Sequence, residues 1–274
     1  MKRKINLIRV FLIIGITIAL VSVRFMFSFS SLMGDDFSYQ VSLLVKRGFY
    51  ESFLALFLWA VLLVKTTKED IKNVLSKMNP YIVVSALFLF GGVITGIFLQ
   101  NAFQGLFQGI FEGLTQEAEK INAIPMYQQT FFIFGNNSGV AVICGIFNAF
   151  IPVVGALIPP VIMLVNGFVI GVAPAMFGIG WPQFLVAILP HGIFEIPALI
   201  LASAVGLRFS VCMVKASVGF LFPTQGVSRE EVFLREVSPG WQSLKLFVVI
   251  IPLLVVAGIV EVYISTQVMR LVGL

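Results

Sequence analysis

Histidine occurs once in this chain, cysteine twice, and charged side chains make up only 11% of it. Each scarcity excludes something. The one histidine, His191, offers with Glu195 two ligands where a zinc ion takes three or four from protein, so no metal or other cofactor is expected. Cys144 and Cys212 lie in or beside apolar stretches at no metal-ligand or pairing distance, which removes a disulfide framework. Aspartate is missing from every apolar run and no Gly-x-Ser-x-Gly turn occurs, so a Ser-His-Asp hydrolase is not expected. The glycine-rich stretches, such as "FGGVITG", lack the lysine of a phosphate loop. Scarcity of charge, against 59% hydrophobic residues, excludes an ordinary soluble domain, where about 25% are charged.

What is present is a series of apolar runs. About 20 such residues cross a bilayer core of about 30 Å. Seven candidate spans follow, near 5–23, 49–64, 81–99, 131–150, 157–178, 183–206 and 244–264. The expected fold is all-α, a polytopic transmembrane helix bundle with proline-kinked helices. The first run follows "MKRK" as in a secretory signal, but it is too long for a signal core and no small-residue cleavage site follows it cleanly. It reads as a retained anchor, with a cleaved signal as the alternative.

Lysine and arginine set the orientation. With the N-terminus in the cytoplasm, 13 of the 18 fall inside, and Arg24, Lys46, Arg47, Lys120 and Arg270 fall outside. The expected topology in the cell membrane is N-in, C-out. The net charge of +5 comes from residues in short loops, without a basic arm interleaved with aromatics. Membrane lipids, and no nucleic acid, are the expected partners. Between the third and fourth spans, Phe103, Leu106, Phe107, Ile110 and Leu114 recur at helical spacing, which predicts an amphipathic helix on the outer surface or capping the bundle. "SREE" at 228–231 predicts a capped start to a short polar helix ending before "SPGW".

Polar groups inside the spans carry the functional signal, because burying them in hydrocarbon is costly. They are Asn136 and Asn137, Asn166, His191 and Glu195, and Glu261. At 1.5 Å per residue from the expected outer ends, Glu261 lies about 5 Å deep, the asparagine pair about 8 to 9 Å, His191 about 12 Å, and Asn166 and Glu195 about 18 Å. Four spans can therefore converge on one intramembrane polar site. His191 and Glu195 share a helix face as a coupled pair. Pro190 and Pro197 should kink that helix, and Gly192 should admit a neighbouring helix. Arg208 follows as its cytoplasmic end. The pair reads either as a proton-linked or polar-ligand site or as a hydrogen-bond knot that fixes packing.

From Pro80 onward the chain resembles the stage II sporulation protein M family of integral membrane proteins. The resemblance is carried by the asparagine pair, Asn166-Gly167, Pro190-His191-Gly192 with Glu195 and Pro197, Gly206-Leu207-Arg208, and Glu261. It divides the chain into an N-terminal addition with two apolar segments, residues 1–79, and a family-like membrane domain, residues 80–274. It implies a membrane component of a peptidoglycan-degrading complex, working with soluble-domain partners and having no catalytic role. The expected function is thus a non-enzymatic scaffold or component of a membrane complex linked to cell-envelope remodelling. Other membrane or envelope proteins would be its partners, and a homo-oligomer is compatible with this. The alternative is a transporter or channel for a small polar solute or lipid, with His191 and Glu195 as a proton-linked site.

Overall fold

A computed structural model describes residues 7–31, 36–100, 104–151, 153–223 and 226–271. Among them there is no strand. The helices are α1 (Leu7–Ser31), α2 (Phe37–Leu63), α3 (Lys68–Leu75), α4 (Asn79–Leu99), α5 (Gln104–Asn122), α6 (Met126–Gly145), α7 (Ile158–Phe177), α8 (Trp181–Leu221), α9 (Arg229–Ser243), α10 (Phe247–Val260) and α11 (Thr266–Leu271). Glu261–Ser265 between the last two is a π-helical turn. Six helical stretches are long and apolar enough to cross a membrane, or seven if α2 and α3, bent by 101°, count as one span.

The expected spans fall largely on helical segments, but three of the helices run well beyond them. α1 runs on to Ser31 and so takes in Arg24, and α2 begins at Phe37 and takes in Arg47 and Glu51. α8 has 41 residues, about 62 Å at 1.5 Å per residue and twice the hydrocarbon thickness. Arg208 therefore does not end the helix: it lies inside α8, 8% exposed, with its Nη1 on Met78 Sδ at 3.5 Å. Beyond it α8 is covered by α9, where Gly240 lets the two helices close on Phe209 and Cys212, and Trp241 meets Phe209 edge-on at 5.8 Å. α9 starts as expected, with Ser228 Oγ accepting from the Glu231 amide at 3.2 Å, but it continues through Ser238-Pro239-Gly240-Trp241 instead of stopping before them. Packing of this polar helix against α8 outweighs the local breaker signal.

Prolines stand inside α7, α8, α9 and α10. α8 is continuous through Pro190 and Pro197. Gly192 is buried, but a Cβ there would meet only Ile188 and Ile196 of its own helix, so the close helix approach expected of it is not made. The core joins α2, α6, α8 and α10 through Leu58, Phe134, Val205, Phe209 and Phe247. At one end α1, α2, α3 and the start of α10 meet: Arg9 donates to the Leu62 carbonyl, and Lys245 pairs with Asp70 at 2.9 Å. The side chains of Phe103, Leu106, Phe107, Ile110 and Leu114, expected as an apolar stripe, lie outside the described residues.

Candidate functional site

The opposite end holds a polar chamber. Its walls come from α2 (Arg47), α5 (Glu117, Ala118, Ile121), α6 (Phe132, Ile133, Asn136, Asn137), α8 (His191, Glu195) and the π-turn (Glu261), around about 400 Å³. Five of the six intramembrane polar residues singled out above line it. Asn166 does not: it sits on α7 and its amide donates back to the Ile162 carbonyl of its own helix at 2.8 Å. A helical asparagine that bonds its own backbone needs no partner across the bundle.

Small residues build one wall. A Cβ on Gly48 would stand 2.6 Å from Phe132 Cα and one on Gly135 2.8 Å from the Gly48 carbonyl, so α2 and α6 are nearly backbone to backbone. Ser52 Oγ donates to the Phe131 carbonyl across the same seam at 2.7 Å. This contact delivers Glu51, fully buried, to two arginines. Arg24 Nε donates to Glu51 Oε1 at 2.9 Å, and Arg47 Nε donates to the same oxygen at 3.4 Å. Both guanidinium groups also reach Asn136 Oδ1, from Arg24 at 2.8 Å and from Arg47 at 2.7 Å. Arg24 further donates to the Asn136 carbonyl at 2.8 Å and lies across α6 at Gly139, where a Cβ would come within 2.9 Å of its Nη2. Arg47 also stands over the Phe132 ring at 5.5 Å.

Arg24, Arg47 and Glu51 were not found from the sequence, where the arginines count as outer positives beyond the ends of shorter spans. One signal was available: Arg47 and Glu51 stand at i and i+4. With Gly48 and Ser52 between and after them, the small and charged residues fall on adjoining faces of one helix.

The other wall is differently partnered. His191, Glu195 and Glu261 each offer a ligand atom within 4.8 Å of the other two. His191 and Glu195 stand close on one face, but no hydrogen bond joins them among the described residues. His191 Nδ1 instead meets Ser265 Oγ at 2.9 Å, four residues after Glu261 and almost fully buried. Widening of the helix to π geometry over Glu261–Ser265 turns both residues toward α8, since about 4.4 residues then complete a turn. Neither the Glu195 nor the Glu261 carboxylate has a hydrogen bond or ion pair among the described residues. Asn137 lines the chamber and its Oδ1 accepts from Asn136 Nδ2 at 3.5 Å.

Residues 84–266 match the protein family described as Stage II sporulation protein M. An uncharacterized protein of Methanocaldococcus jannaschii is 32% identical over 142 residues, which cover 51% of this chain and 56% of that one. The matched stretch thus spans little more than half the length of that curated relative. No solved structure matches the chain.

Proposed function

The chain belongs to the stage II sporulation protein M family and has helices long and apolar enough to cross a membrane, and on that premise we propose that it is a non-enzymatic multi-pass protein of the cell membrane that admits a small polar solute or lipid headgroup to the chamber. The observation that carries this reading is the pair of carboxylates, Glu195 and Glu261, held beside His191 without a protein partner among the described residues. Two like charges so close in a poorly solvated setting require a countercharge. A proton shared with His191, or a cationic group of a ligand, supplies it. Coupling between the two would make uptake proton-linked. In the N-in, C-out topology that the charge bias supports, the chamber lies toward the outside and the Lys245–Asp70 end toward the cytoplasm. Glu195→Gln keeps the shape and removes the charge; the proposal expects a stably folded variant that fails to complement a deletion strain.

A second reading, a scaffold in a membrane complex that remodels the cell envelope, is favoured by a different observation. α5 gives Glu117 and Ile121 to the chamber wall while Gln116 and Glu119 remain exposed, a polar face on which an envelope protein can dock. On that reading Glu195→Gln complements fully, and Glu119→Arg does not.

A further inference from the structure

We propose that His191, Glu195 and Glu261 bind one divalent transition-metal cation of the Zn²⁺ or Mn²⁺ class, which deepens the reading of the chamber above and rests on it. The sequence had argued against a metal because His191 and Glu195 are two ligands on one helix. The fold brings the third, Glu261, from another helix, and this is the only such trio among the described residues. Ligands at about 2.1 Å from one ion stand about 3.4 Å apart in tetrahedral geometry. Atoms within 4.8 Å of one another reach that spacing by side-chain movements on the order of 1 Å.

Three independent features point the same way. The carboxylates have no competing donor among the described residues: Arg47, on the facing wall, is engaged by Glu51 and Asn136, and Arg24 by the same two groups. His191 has an outer partner at Ser265 Oγ, and in the tautomer whose Nδ1–H donates to that hydroxyl the Nε2 lone pair is left for a metal and the ring is fixed. The backbone distortion falls on the turn that carries both Glu261 and Ser265, and π-turns in helices concentrate at functional sites. One imidazole and two carboxylates suit a borderline-hard ion and leave room for water or a solute in the open positions facing the chamber. Glu117, also in the chamber wall on α5, stands outside the trio.

The test uses the full-length protein in detergent, freed of any purification tag and stripped with a chelator. It is dialysed against Zn²⁺ or Mn²⁺, and bound metal is measured by mass spectrometry alongside the thermal unfolding midpoint. The expected result is about one equivalent per chain, with a metal-dependent rise in the midpoint. Glu195→Gln and Glu261→Gln should each bind at least tenfold more weakly, Ser265→Ala about tenfold more weakly through the histidine alone, and Asn166→Ala, outside the chamber, as the parent does. If either glutamine variant fails to fold, the metal-dependent rise in the parent and the Ser265→Ala titration still decide. Parent protein that binds no more metal than the His191→Gln/Glu195→Gln/Glu261→Gln variant, and shows no rise, overturns the proposal. Metal-free protein with an inactive but stable Glu195→Gln variant sinks the metal and leaves the chamber function standing. Metal-binding protein whose Glu195→Gln variant is fully active does the reverse.

Discussion

The seam between α4 and α7 and the chamber between α2, α6 and α8 are both made by helices in very close contact, and they use the closeness differently. Along the first, Gly92 faces the Leu164 carbonyl, Gly96 that of Phe168, Gly167 that of Leu89 and Gly171 that of Val93, each with no room for a methyl group. The atoms these glycines meet are backbone, and the outer faces of α4 and α7 turn Leu87, Phe90, Phe98, Val161 and Val165 outward, as lipid-facing helices do. Along the second, Gly48 and Gly135 bring the helices together so that charged side chains reach one another beside the seam. Glycines in one place close the structure, and in the other they hold a polar space open. Asn166 and Asn136 show the consequence: equally polar, one bonds its own turn and the other receives two arginines.

The chamber side should fail most severely when its countercharge is removed. Glu51→Ala leaves Arg24 and Arg47 facing each other with Asn136 alone between them. Its expected cost is about 4 kcal/mol, because a largely buried ion pair is broken from one side. A midpoint in detergent little changed from the parent would show that the network is solvated. Replacing the set together, Arg24→Met and Arg47→Met with Glu51→Leu, should recover part of the loss, since no charge is stranded once all three are gone.

The seam should answer to a single methyl. Gly167→Ala gains about 1 kcal/mol in helix propensity but sets a Cβ on the Leu89 carbonyl, and the overlap should exceed the gain and leave a net cost of about 2 kcal/mol. Stabilisation by this substitution would mean that α4 and α7 stand farther apart. One residue earlier, Asn166→Ala removes only a bond to its own helix and should change the midpoint by about 0.5 kcal/mol or less, with activity kept. Loss of activity there would bring Asn166 back into the site.

How much of this was legible in the sequence depends on what each residue's neighbours are. The spans were legible because apolar length is a local property. The far half of α8 was not, since its moderately apolar face is satisfied by α9, which comes from later in the chain. Asn136, His191, Glu195 and Glu261 could be picked out because a polar group in an apolar run is rare whatever surrounds it. Their partners could not: long cationic side chains near a span end carry a topology signal, and that signal hides Arg24 and Arg47, which turn inward to Glu51. Asn166 was included wrongly because spacing alone does not say whether an amide is satisfied within its own turn. The trio's third member was noted as a polar residue, but its distance to the first two is set by a π-turn that no periodicity announces.

The central claim is that the unpartnered carboxylates by His191 act and do not merely pack. Glu195→Gln tests it most directly, measured as thermal midpoint in detergent and as complementation of a deletion strain by protein expressed at the parental level. The prediction, with the midpoints compared on metal-stripped protein, is a midpoint within about 0.5 kcal/mol of the parent's stability, because no protein hydrogen bond to the carboxylate is lost, with complementation abolished. A stable Glu195→Gln protein that complements fully would contradict it and leave the trio as a feature of helix packing.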